Sequence, residues 1–233
     1  MAALACDICG GNLSMDASGD FAVCESCGMK HTKDRLKAKA QEITGTVKVS
    51  NVTHYKDIWE AAENGIVQDV AYFIENGTNV NARAKDGGTP LHCAASSNSN
   101  LKVLEYLVSK GADVNAKNNR GWTPLRSAMS NSNINIEVLK YLVSKGADVN
   151  TKDKDGYTPI CFATKDIEVL KYLISHGANV NAKSNSGWTP LHSATSFEFD
   201  HEVYKYLISQ GADINAKCNG ETPRDILKRN KKS

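Results

Sequence analysis

Four cysteines near the start of the 233-residue chain are the residues whose type and spacing point most directly to chemistry. Cys6-Asp7-Ile8-Cys9-Gly10 and Cys24-Glu25-Ser26-Cys27-Gly28 make a Cys-x2-Cys-x14-Cys-x2-Cys pattern. Zinc takes four ligands in a tetrahedron, and thiolate is a favoured donor. Two residues between cysteines let one tight turn present both sulfurs. Gly10 and Gly28 free the backbone to curl, so that N–H groups face sulfur. Four protein thiolates leave no open position, so the expected Zn2+ is structural rather than catalytic. Iron is the alternative, because thiolates accept it too. So small a segment buries little, and metal binding would contribute on the order of 10 kcal/mol to its folding. His31 reads as a surface residue.

A hairpin must bring the two pairs together. Asp16, Ser18 and Gly19 supply turn residues ahead of Phe21-Ala22-Val23. With its paired cysteines and trailing glycines, residues 1–29 resemble a zinc ribbon, of the kind found ahead of varied modules in bacterial proteins. Residues 30–53 follow as a basic helix and linker. Thr32 would cap a helix over 32–43, with Leu36, Ala40 and Ile43 at helical spacing. Residues 44–53 read as an extended linker or a lone strand.

The rest of the chain keeps time. Gly-Ala-Asp/Asn recurs at Gly111, Gly146, Gly177 and Gly211, with Gly77-Thr78-Asn79 as a weaker copy. Thr-Pro recurs at Thr89, Thr123, Thr158, Thr189 and Thr222 in the same phase, with one short unit of 31 residues. Each unit reads as two helices and a loop. Thr before Pro starts the first helix, and Pro suits its first turn. Val103, Leu104, Leu107 and Val108 give the second helix its apolar stripe. Gly111 stops it, because glycine accepts the left-handed conformation. Neither short helix hides its stripe alone, so the units must stack.

The Thr89-Pro90-Leu91-His92 and Gly111-Ala112-Asp113-Val114-Asn115 segments, repeated over residues 54–233, resemble ankyrin repeats. The resemblance implies a mostly α solenoid of helix-turn-helix units with hairpin loops, five units and a C-terminal cap. Lys56-Asp57-Ile58-Trp59 holds the register of the missing first Thr-Pro, as in a capping repeat. Arg224 replaces the usual Leu in the last unit, as suits a cap facing water. Two departures stand out. The Gly-His usual between the helices is absent throughout. Arg126 and Cys161 replace the His of Thr-Pro-Leu-His, so the bonds which that His makes between repeats are expected to be missing there. His92 and His192 should bond within the stack, and Cys93 should be a packed small residue.

In ankyrin proteins, loop tips and the first-helix face make the partner contacts. The position before Thr-Pro is held by Gly88, Trp122, Tyr157, Trp188 and Glu221. Three successive aromatics there imply either a binding stripe or rings that stiffen their own loops. Ser96, Ser130, Asn131, Lys165, Asp166, Ser196 and Phe197 are expected on the same face. The partner-binding candidates are therefore Trp122, Tyr157, Trp188, Lys165, Asp166 and Phe197, and the expected partner is a protein.

Charge adds a second reading. The net charge is +2, yet residues 30–48 carry six bases against two acids and residues 221–233 five against two. A zinc-ribbon regulator that contacts nucleic acid and recruits a partner through its repeats is the alternative. Against it, residues 1–27 carry four acids and no Lys or Arg, and aromatic residues for base stacking are sparse beside the basic run. There is no Walker-type loop and no His-Glu-x-x-His, so no enzyme is expected. No segment has the roughly 18–20 apolar residues of a membrane helix. The seven cysteines suit a reducing compartment with a metal site. The expectation is a cytoplasmic, bacterial monomer.

Overall fold

Every Thr-Pro stands at the start of a first helix, and every Gly-Ala-Asp/Asn follows the end of a second. In the computed structural model, α1 (Ile58–Asn64) and α2 (Val67–Glu75) form the first unit. The second holds α3 (Pro90–Ser97) and α4 (Leu101–Ser109), and the third α5 (Pro124–Ser127) and α6 (Ile136–Ser144). The fourth, the 31-residue unit, opens with a 3-10 turn (Pro159–Phe162) before α7 (Ile167–Ser175). The fifth has α8 (Pro190–Ser196) and α9 (His201–Ser209), and α10 (Pro223–Asn230) closes the array. The structure describes residues 55–230 apart from 98–99, 131–133 and 197–199, together with the backbone of three short strands ahead of them.

The helix starts follow the caps available. Asp57, Asn100, Asn135, Asp166 and Asp200 each accept a bond from an N–H of the first turn. The threonines behave less uniformly. Thr123 and Thr189 accept a first-turn N–H through their hydroxyls, Thr158 makes no side-chain cap, and the Thr89 and Thr189 hydroxyls also pair with His92 and His192. Helices stop where a left-handed residue is needed. Gly77, Gly111, Gly146, Gly177 and Gly211 all sit near φ +88°, between +86° and +89°.

Packing runs along the array. First helices lie against first helices, α1 on α3 on α5, and α8 on the 3-10 turn and on α10. Second helices stack likewise, α2 on α4 on α6, and α7 on α9. Leu91, Leu104, Leu107, Leu125, Leu139, Leu142, Ile160, Leu170, Leu173, Leu191 and Leu207 are fully buried in one continuous core. Each contributes roughly 2 kcal/mol of burial, which no unit could gain alone.

Contacts divide the chain into Met1–His54 and Tyr55–Ser233. Within Met1–His54, β1 (Leu13–Met15), β2 (Phe21–Cys24) and β3 (Lys30–Thr32) pair antiparallel in that order, with Leu13 opposite Cys24 and Phe21 opposite Thr32. Thr32, expected to cap a helix, is thus the last residue of a strand. The rest of the basic helix and linker, Cys6, Cys9 and Cys27, and the turn residues Asp16, Ser18 and Gly19 lie outside the described residues, and of Cys24 only the backbone is described.

Candidate partner-binding surface

Hairpin turns position the three aromatics. In each turn the first residue closes a small loop with the aromatic: Asn118 N–H donates to Trp122 C=O, Asp153 to Tyr157 and Ser184 to Trp188, at 2.9 Å. The same residue's side chain then holds the aromatic's own N–H. Asn118 Oδ1 accepts from Trp122, Asp153 Oδ1 from Tyr157 and Ser184 Oγ from Trp188. Glycine at a left-handed position makes the turn possible. Gly156, at φ +81°, lies so close to the next unit that a Cβ would meet Asn185.

These turns are chained to one another. Asn119 N–H donates to Asp86 C=O, Lys154 to Arg120, and Asn185 to Asp155. Lower on the same loops, an asparagine amide spans each junction. Asn81, Asn115, Asn150 and Asn181 donate to the C=O of Gly111, Gly146, Gly177 and Gly211, at 2.8–2.9 Å. The same amides accept from the N–H of Asp113, Asp148, Asn179 and Asp213. The aromatics therefore stand on a rigid ridge.

The histidines bond within the stack, as expected. His92 Nδ1 accepts from Thr89 N–H at 3.1 Å, so Nε2 carries the proton and donates to Trp122 C=O at 2.9 Å. His192 does the same with Thr189 and with Glu221 C=O of the final unit. Burial lowers the pKa of both rings and keeps them neutral. Trp59 occupies the same slot in the first unit, and its Nε1–H donates to Gly88 C=O at 3.0 Å. The signal for this was register alone: Trp59 stands 33 residues before His92, as Lys56 stands before Thr89.

Trp122, Tyr157 and Trp188 are half-buried, and each ring packs on its own unit as well as facing out. Trp188 Nε1–H donates to Ser193 Oγ at 2.8 Å, and its ring lies 5.3 Å from that of His192. Tyr157 meets Phe162 edge-on at 5.7 Å. Trp122 covers the guanidinium of Arg126, 4.3 Å from ring centre to Cζ. Both readings of these rings thus have physical content in one place. Tyr157, Phe162 and Trp188 join Cys161, Ser193 and Ser196 in lining a cavity of about 380 Å³. Cys161 and Cys93 are desolvated, and burial pushes their thiols up to about 11 and about 12, so neither is a ready nucleophile.

Lys165 is exposed beside this face, but the Asp166 carboxylate is committed to capping α7 through Glu168 and Val169 N–H. Phe197 and Asn131 lie outside the described residues. Arg126 and Phe162, which sequence reading did not count among the site residues, pack directly against these rings. Both break the pattern of their register, and that was the available signal.

A family model described as ankyrin repeats, in three copies, matches residues 58–153 and 135–218. The chain belongs to the ankyrin repeat family. Among curated proteins none matches it. Among the described residues no helix is long and apolar enough to cross a membrane.

Proposed function

We propose that this ankyrin protein is an adaptor whose hairpin tips and first-helix face hold a partner protein. One observation carries the reading. Three successive units present Trp122, Tyr157 and Trp188 at the same register, half-exposed and fixed by their own turns. Rigid aromatic side chains lose little entropy on binding and dominate interface hot spots. The cavity beside Trp188 gives a partner side chain somewhere to go. The amino-terminal segment adds a structural Zn2+ held by Cys6, Cys9, Cys24 and Cys27. The pairing of Leu13 with Cys24 supports this, because it lays the chain that follows the first cysteine pair alongside the second.

The test is affinity capture from lysate, with and without nuclease, using the wild type and a Trp122→Ala/Trp188→Ala variant. A protein held by the wild type, lost by a folded variant and indifferent to nuclease is the expected result. Retention that survives the substitutions but vanishes with nuclease would move the function to the basic segment after the cysteines. For the metal, mass spectrometry of the native protein should find one zinc per chain, and Cys24→Ser should release it. A wild type without zinc would remove the metal from this account.

A further inference from the structure

Arg126 holds the buried side-chain nitrogens that, among the described residues, lack a hydrogen-bond partner. The residue is only 9% exposed, in a slot that the second and fifth units fill with His, the first with Trp59 and the fourth with Cys161. The guanidinium carbon lies 3.4 Å from the centre of the Phe162 ring and 4.3 Å from that of Trp122. Stacking of this kind covers the faces of the guanidinium plane but satisfies none of its N–H donors, which leave by the edge. Nε and Nη1 are buried without a hydrogen-bond partner. Among the described residues Arg126 joins no ion pair. The carboxylate whose field reaches it, that of Asp153, is spent on the N–H groups of Asp155 and Tyr157. Burial brings its pKa down to about 10, so the group stays charged at neutral pH. A buried charge without a counter-ion is destabilising by itself.

The surroundings fit an anion that arrives with apolar company. A second guanidinium, that of the exposed Arg120, lies 5.2 Å from the Trp122 ring centre. The Phe162 ring that covers Arg126 also walls the 380 Å³ cavity beside Tyr157 and Trp188. The cation and the apolar hole are therefore one ring apart.

We infer that the partner offers an acidic peptide segment: an Asp or Glu carboxylate pairs with the guanidinium of Arg126 as the rings part to uncover Nε and Nη1, and a neighbouring apolar side chain fills the cavity between Tyr157, Phe162 and Trp188. This rests on the partner-binding reading above and adds the chemistry of the partner. Pairing a desolvated guanidinium with a carboxylate makes short, charge-assisted bonds that no amide replaces.

The test uses the full chain, immobilised, and degenerate capped heptapeptides whose central residue is fixed as Glu in one pool and as Gln in another. The Glu pool should be retained roughly tenfold more than the Gln pool. Sequencing of the retained Glu peptides should show apolar residues enriched at one neighbouring position. Arg126→Gln should abolish the preference between pools, with folding checked by thermal melt. Equal retention of the two pools by the wild type would overturn the inference without any variant. So would an undiminished preference in folded Arg126→Gln. Apolar enrichment without acid preference would likewise overturn the inference, leaving only the cavity as a peptide site. Retention of neither pool also refutes it, while capture of a partner through Trp122 and Trp188 is judged separately.

Discussion

Replacing Asn115 by Ala should weaken the array, whereas the same change at Asn215 should not. Asn115 spans a junction with two bonds, donating to Gly146 C=O and accepting from Asp148 N–H, each at 2.9 Å. Asn215 holds the same register, but the chain after it forms only α10, and among the described residues no bond to its amide is seen. A net hydrogen bond is worth about 0.5–1.5 kcal/mol, and water competes at this exposed ridge. Two such bonds at the lower end predict a loss of about 1–2 kcal/mol for Asn115→Ala. In a stack whose stability is a sum of units and junctions, that loss falls on one junction. For an array of this size it corresponds to a fall of about 3–6 °C in Tm. Urea unfolding followed by circular dichroism gives both numbers, and Asn215→Ala controls for any local preference of Asn. Equal losses at the two positions would refute the junction argument. A loss at Asn115 with a broadened transition would strengthen it, because weakened coupling lets parts of a stack unfold separately.

Two further predictions concern the same scaffold. The pKa of His92 and of His192 is lowered, mainly by burial, so the unfolded chain binds more protons than the folded one as pH falls below the ordinary value near 6.5. Their contribution is present above that value and lost as pH falls through the folded values; urea midpoints should drop between pH 7 and 5, and less so in His92→Gln. Gly146 (φ +88°) has open space at its Cβ, whereas a Cβ on Gly156 (φ +81°) would strike Asn185. Gly146→Ala should therefore cost only the backbone strain, about 1–2 kcal/mol, and Gly156→Ala clearly more; equal thermal shifts would contradict the steric account.

The array was legible because it is written twice, in Thr-Pro and in Gly-Ala-Asp/Asn, and each marker has a local cause. Helix starts and left-handed stops are decided within a few residues, so Thr123 and Gly111 announce themselves. The Asn-bridged junctions were half visible, since Asn115 and its equivalents stand in register but their partners lie about 30 residues away. The shortness of the fourth unit was visible in its 31-residue period, but the shrinkage of its first helix to a 3-10 turn was not. What periodicity cannot show is which ring of the next unit covers a departure. Phe162 fills a slot that is Cys93, Ser127 and Ser193 elsewhere, and it does so over Arg126. The two exceptions were visible singly, but their pairing across a junction was not.

Those exceptions fall together, and this has a consequence for stability. The third and fourth units have four-residue first elements, lack the imidazole bond to the next unit, and bury a guanidinium with unpaired donors. Natural sequences break such local rules mainly where function requires it. Arg126→His should reverse the trade. Its Nδ1 would accept from Thr123 N–H and its Nε2 would donate to Tyr157 C=O, as His92 does with Thr89 and Trp122. Two recovered hydrogen bonds, at about 0.5–1.5 kcal/mol each, together with the removal of an uncompensated buried charge, predict a gain of about 1–3 kcal/mol. Part of that gain is returned because Phe162 and Trp122 lose the cation between them, worth up to about 2 kcal/mol when desolvated. The expected outcome is a higher urea midpoint with the preference for acidic peptides gone. A variant less stable than the wild type would mean that the two rings alone compensate the charge, and that Arg126 is a structural rivet rather than a site held open for a partner.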